Sequence, residues 1–194
     1  MKKIQQLVLS LTLISAVCAA VLAIVNTATK ERIASLDKLK AQAAAREVMP
    51  AEVKVINESS ADPQAPGDDT LKAFIGYADD AKTKIIGYAV PGISTKGYGG
   101  GIRLMVGLTP DRTVIAYKKL AAGETPGLGA KLTTPEFIAR FKGQPAADVA
   151  VTKDGGKIEA LTSATITSRA VCEAIADAAK RIDRIEGKAA AAQQ

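Results

Sequence analysis

KIIGYAVPGISTKGYGGGIRLMVGLTPDRTVIAYKKL, residues 84–120, alternates runs of β-branched and aliphatic residues with glycine- and proline-bearing breaks. Lys84 to Val90 and Ile102 to Leu108 are rich in Ile, Val and Tyr and are bounded by Gly or Pro, a composition that suits a pleated, half-buried surface. Thr109-Pro110-Asp111 is a turn signal, so Thr113 to Leu120 reads as the hairpin partner of the run before it. A further strand is expected upstream, from Ala73 to Tyr77.

Working outward toward the C-terminus, a short helix is expected after this block. Thr134 suits the N-cap, Pro135 the first helical position, and Thr133 with Glu136 has capping-box spacing. Val149 to Thr152 and Lys157 to Leu161 flank Asp154-Gly155-Gly156, which predicts a second hairpin. A final helix is predicted over about Ser168 to Ile185, with Val171, Ile175, Ala178, Ile182 and Ile185 along its apolar face. Strand pairs mixed with helices indicate an α+β domain over residues 59–187, followed by a frayed tail over 188–194.

Toward the N-terminus, the segment Ser59 to Thr70 is rich in Pro, Asp and Ser and reads as a loop. Before it, Thr29 to Met49 places Ile33, Leu36, Leu39 and Ala43 at helical spacing with charges between them, which predicts a stalk helix ended by Pro50; with its connector it covers residues 29–58. Leu7 to Val25 is free of charge and, at about 1.5 Å per residue, matches a hydrocarbon core of about 30 Å. It is longer than the apolar core of a cleaved signal peptide, and Val17 before Cys18 departs from a lipoprotein signal, so residues 1–28 are expected to form a cytoplasmic stub and a retained transmembrane helix. Lys2 and Lys3 favour a cytoplasmic N-terminus, although Lys30 and Arg32 follow the apolar run closely.

Composition narrows the chemistry. The chain has 194 residues and a formal net charge of +6, but its acidic and basic residues alternate and aromatics make up only 4%. Dispersed charge without stacking platforms argues against nucleic acid as a partner. There is no histidine, which excludes Ser-His-Asp and Cys-His nucleophiles and His-ligated zinc or haem in this chain. Its two cysteines, Cys18 and Cys172, are too few for an iron–sulfur cluster, and one lies in the apolar run and the other in the last predicted helix. No metal site is expected, and redox chemistry on this chain would need an organic cofactor.

Three segments are unusual enough to carry a site. Gly97-Tyr98-Gly99-Gly100-Gly101 is either a flexible loop or a place where backbone approaches something closely. Glu124-Thr125-Pro126-Gly127-Leu128-Gly129 is either an ordinary turn or one that displays Leu128 as an apolar finger, with Glu124 and Thr125 as polar contacts. Thr162-Ser163-Ala164-Thr165-Ile166-Thr167-Ser168 carries five hydroxyls in seven residues. Thr167 or Ser168 would serve as an N-cap, but one cap does not require five hydroxyls. A helix N-terminus also suits a phosphate, and Thr165 would set a hydroxyl beside it.

Taken together, the anchor, ETPGLG and TSATITS resemble the G subunit of the Rnf electron-transport complex, with the C subunit of the sodium-pumping NADH:quinone oxidoreductase as a close relative. The likeness covers nearly the whole chain, GYGG before a strand included, and the shorter chain favours the Rnf-type subunit. The resemblance implies an FMN-binding domain over residues 59–187 that carries covalent flavin mononucleotide (FMN), as a phosphoester of Thr165, installed by a separate flavin transferase. It implies flavin contacts from Glu124, Thr125, Gly127, Leu128, Gly129, Thr162, Ser163, Ala164 and Thr167. It further implies an electron-transfer subunit of an ion-translocating ferredoxin/NAD oxidoreductase, partnered by the other subunits of that membrane complex. The soluble domain would lie on the extracytoplasmic face, with no catalytic acid or base of its own. Two positions depart from the family pattern: Ser163 stands where Gly is usual, and Glu159 where an Asp commonly precedes the motif.

Overall fold

The computed structural model describes residues 2–59, 72–123 and 129–191, and the chain divides into two units, Met1–Leu39 and Lys40–Gln194. The helix α1 spans Lys2–Val48. In the first unit its apolar side chains, among them Leu7, Leu13 and Leu22, are exposed. By length and composition this helix is able to cross a membrane. Its hydroxyls do not break the pattern, because Thr12 and Thr27 donate back to the carbonyls of Val8 and Ala23 at 2.8 Å.

The second unit is built on an antiparallel sheet whose strands lie side by side in chain order: β1 (Val55–Glu58), β2 (Phe74–Tyr77), β3 (Ile85–Gly97), β4 (Gly100–Leu108) and β5 (Val114–Ala122). Four of the five follow from runs rich in Ile, Val and Tyr between Gly- or Pro-bearing breaks; β1 is short and half polar and gives no such signal. β3 continues well past the expected end at Val90, through Pro91. β2 pairs with β3 only as far as Ala89, so among the described residues Pro91 lies where β4 alone flanks the strand and a missing N–H is tolerated.

Two helices bury the two faces of this sheet. The last turns of α1 lay Ala41, Ala44, Ala45 and Val48 against Phe74, Ala89 and Met105. The helix expected over Thr29 to Met49 is present to Val48; of the residues read at helical spacing, Ala43 is exposed, and so are Ile33, Leu36 and Leu39 in the first unit. Alanines are selected here because the backbones nearly touch; a Cβ at Gly107 would overlap the carbonyl oxygen of Val48. On the other face α3 (Thr165–Ala191) packs Val171, Ile175, Ala178 and Ile182 against Val90, Leu104, Val106 and Tyr117. Gly92 allows the same close approach, since a Cβ there would overlap the carbonyl oxygen of Ala174.

Further expectations need correcting. The helix α2 (Pro135–Ala139) begins after Thr134 as predicted, but the Thr134 hydroxyl donates to the Lys131 carbonyl at 3.0 Å rather than capping. Residues 149–161 do not form a hairpin. Thr152–Asp154 is a 3₁₀ turn closed by left-handed Gly155, and the one bridge, Val151 to Ile158, is parallel. The physical reason is that the Asp154 carboxylate is turned away to Arg169, which holds the turn against α3. Finally, α3 starts three residues earlier than the hydroxyl pattern suggests and continues through Ala191 into the expected tail. The loop read over Ser59 to Thr70 lies almost wholly outside the described residues.

Candidate functional site

The five-hydroxyl segment forms the entrance to α3. Leu161 to Ala164 is a tight turn closed by the Ala164 N–H donating to the Leu161 carbonyl at 3.0 Å. Its third residue, Ser163, has φ 63°, the left-handed conformation that a type II turn normally assigns to glycine. Thr165 is then the first residue of a 27-residue helix and is partly exposed. Thr162 and Ser163 are exposed beside it, whereas Ala164 and Thr167 are buried. Neither Thr167 nor Ser168 is an N-cap, because both lie inside the first turn with their side chains in the core. The first-turn amides of such a helix have no intrahelical acceptor and sit at the positive end of its dipole.

The ties between α3 and β3 fix where this entrance lies. Glu186 meets Tyr88, Asp177 accepts the Ile93 N–H at 3.0 Å, and Glu173 accepts from Ser94 and Lys96, both at 2.7 Å. The helix therefore runs antiparallel to β3, and its first turns lie at the end of the sheet where Gly97–Gly100 turns from β3 into β4. Gly123, leaving β5, belongs to the same end: a Cβ on it would overlap the Gly99 carbonyl oxygen. Two of the three unusual segments thus converge, the glycine turn and the helix entrance. Of the third, Glu124, Thr125, Gly127 and Leu128 lie outside the described residues, and Gly129 opens the 3₁₀ turn Gly129–Thr133. Tyr98 and Ile166 are the exposed large apolar side chains among the described residues beyond α1, at 68% and 48%, and both are at this end.

An open cavity of about 470 Å³ runs along the first turns of α3, lined by Ile166, Arg169, Ala170, Cys172 and Glu173 of the helix, with Lys96 and residues 149–151 and 154. Its charges are paired. Arg169 grips Asp154 through two bonds of 2.7 Å, which hold the Asp154 carboxyl below the usual carboxylate range. The hydrogen bond from Lys96, then that from Ser94, lowers Glu173 likewise. Cys172 is buried, and burial pushes its thiol up to about 12, so it stays protonated and is no nucleophile at neutral pH. The sequence reading missed Lys96, Asp154, Arg169 and Glu173. Their ion pairs join residues far apart in the chain, and only the wedge of hydroxyls at the helix entrance hints at a site here.

Residues 97–180, from the glycine turn to the middle of α3, match the FMN-binding domain family. The chain is 34% identical over 190 residues to the G subunit of the ion-translocating oxidoreductase complex of Methanosarcina acetivorans, covering 96% of this chain and 98% of that one. It is 41% identical over 114 residues to the G subunit of the proton-translocating ferredoxin:NAD(+) oxidoreductase complex of Clostridium ljungdahlii, covering 57% of this chain and 61% of that one. The crystal structure of Shewanella oneidensis NqrC gives a more distant likeness, 25% identical with a TM-score of 0.42 over 69% of this chain and 64% of that one. With a relative of this identity matched along almost its entire length, the chain belongs to the G-subunit family of ion-translocating oxidoreductase complexes.

Proposed function

We propose that this chain carries FMN as a phosphoester on Thr165 and serves as the electron-transfer subunit of an ion-translocating, Rnf-type ferredoxin/NAD oxidoreductase. The observation that carries the reading is the position of Thr165: a partly exposed threonine at the first residue of a long helix, inside the segment that matches an FMN-binding domain. When bound, FMN supplies electron transfer between other redox centres, while the protein supplies attachment, orientation and electrostatic surroundings.

The residues fit the group. Thr165 offers Oγ1 for the ester. The first-turn amides and the helix dipole favour a phosphate there. Arg169 and Lys96 are already neutralised by Asp154 and Glu173, so the helix end is left to meet the anion. Thr162 is placed to contact the cofactor with its exposed side chain, and Ser163, Ala164 and Thr167 through the turn they build. Glu124, Thr125, Gly127, Leu128 and Gly129 are proposed as contacts to the ring. Esterification replaces the hydroxyl proton of Thr165 by a phosphorus–oxygen bond, so it needs a phosphoryl donor. A flavin pyrophosphate suffices: its P–O–P bond breaks as the Thr165 O–P bond forms, and the departing nucleoside monophosphate carries away the displaced proton. A flavin transferase would catalyse this step.

The same reading assigns residues 1–28 to a cytoplasmic stub and membrane anchor, 29–58 to the stalk, and 59–187 to the flavin domain on the extracytoplasmic side, where a covalent bond prevents loss of the cofactor by diffusion. The chain would relay electrons among the other subunits and needs no general acid or base.

The test is the intact mass of the full chain, purified under denaturing conditions from a host that supplies the transferase. The wild-type chain is expected to carry the mass of one FMN ester, and Thr165→Val to carry none. A wild-type mass equal to that of the bare polypeptide, or a Thr165→Val chain still carrying flavin, would refute the assignment.

A further inference from the structure

We infer that Ser168 is the positioning residue of the Thr165 modification site: its hydroxyl ties the Leu161–Ala164 turn in place, keeps Ser163 left-handed and so presents Thr165 for esterification. The inference rests on the proposed phosphoester and concerns a residue that does not itself touch the cofactor.

Three observations support it. Ser168 is fully buried, so its hydroxyl serves the interior and not the ligand. That oxygen makes two bonds: it accepts the Leu161 N–H at 2.9 Å and donates to the Ala164 carbonyl at 2.9 Å. The donation to a carbonyl four residues back is ordinary for a helical serine, as Thr12 and Thr27 show. The acceptance from Leu161, seven residues back, is not. It bolts the first residue of the turn to the first turn of α3, while the Ala164 bond fixes the last. Between the bolts lies Ser163 at φ 63°, a conformation that costs an L-residue enough to depopulate it roughly tenfold when nothing enforces it. Without the Ser168 oxygen, the Leu161 N–H loses its acceptor, residue 163 relaxes toward negative φ, and Thr165 leaves its position relative to the exposed face.

This predicts an interaction between two residues that do not share a function. The full-length chain, produced without transferase and purified in detergent, is incubated with purified flavin transferase and flavin adenine dinucleotide, and ester formation is followed by intact mass over time. Ser168→Ala is expected to slow flavin addition roughly tenfold while the chain still melts cooperatively. Adding Ser163→Gly to Ser168→Ala is expected to restore most of the lost rate, because glycine adopts positive φ without penalty. Ser163→Gly alone should load faster and melt at a higher temperature than wild type. Ser163→Val, an exposed change that removes nothing from the core, should load more slowly than either. An unchanged rate in Ser168→Ala overturns the inference, as does a Ser163→Gly addition that leaves the Ser168→Ala rate where it was, because a hydroxyl needed only for packing would not be rescued by a glycine in an exposed turn. If Ser168→Ala proves too unstable to assay, Ser168→Cys, which keeps the shape and weakens both bonds, decides: loading at the wild-type rate overturns the inference. A wild-type chain that gains no mass overturns the Thr165 ester and this inference together. A wild-type chain that loads while Ser168→Ala loads equally well removes only this one.

Discussion

The two ends of α3 are held in contrasting ways. At the C-terminal end Arg112 reaches across from the β4–β5 turn, sits 5.3 Å from the centre of the Tyr88 ring, and binds Asp183 at 3.0 Å together with Glu186, which also accepts from the Tyr88 hydroxyl. Burial, then the Glu186 bond, pushes the Tyr88 hydroxyl up to about 12, so it remains a donor throughout the physiological range. This end is a clamp between elements. The N-terminal end adds to the Arg169–Asp154 pair a set of short-range bonds around one buried serine, and it leaves Thr162 and Ser163 exposed. The difference separates two demands on one helix: the far end fixes the helix to the sheet, and the near end fixes a few atoms relative to the helix.

That contrast can be broken in the middle, where both ends depend on the same contact. Gly92→Ala forces a methyl into the Ala174 carbonyl, so the backbone of β3 or α3 must shift. The expected loss is about 3 kcal/mol, read as a large drop in melting temperature, and flavin loading should fall with it. An alanine variant that melts like wild type would show that the helix has slack at this contact.

The clamp can be removed alone. Arg112→Ala gives up two ion pairs and the ring contact, an expected loss of about 1–2 kcal/mol in denaturant unfolding, because Arg112 is only 23% exposed and its partners are more so. Loading of Thr165 in the folded chain should be unaffected. A loading defect comparable to that of Ser168→Ala would erase the division of labour between the two ends.

The smallest effect sharpens the picture by pH. Glu173 titrates below its ordinary value of 4.5 because Lys96 and Ser94 donate to it in the folded chain. A depressed folded value means the stabilisation is present above the unfolded value and is lost as pH falls through the folded one. Glu173→Gln should therefore cost about 0.5 kcal/mol near neutrality, reduced by solvent screening at a pair whose carboxylate is 40% exposed, and nothing once the pH lies below the folded value. Parallel stability curves for the two chains from pH 7 to pH 3 would contradict this.

Much of the sheet is legible because β2 to β5 are rich in Ile, Val and Tyr and are bounded by turn residues, and α2 because Pro135 marks its start. Pro91 misleads, since a proline normally stops a strand, and its tolerance here depends on where β2 ends, a fact of pairing and not of local sequence. The hairpin expected over residues 149–161 fails for a similar reason: Asp154-Gly155-Gly156 is good turn chemistry, but the aspartate is committed to Arg169, fifteen residues on. The start of α3 is misjudged because serine and threonine are read as caps by default, whereas the buried Ser168 hydroxyl bonds back to Leu161. Serine itself does not mark residue 163 as left-handed; the hint lies in the resembled family, which usually has glycine there.

The thiol of Cys172, buried beside the open cavity and protonated, gives the second unit a reporter of its own opening. In a chain whose Cys18 has been replaced by serine, an alkylating reagent would find little thiolate to attack while α3 stays on the sheet, and more once it lifts. The pace of labelling would then count excursions of this helix directly, with no dye, tag or added residue in the domain.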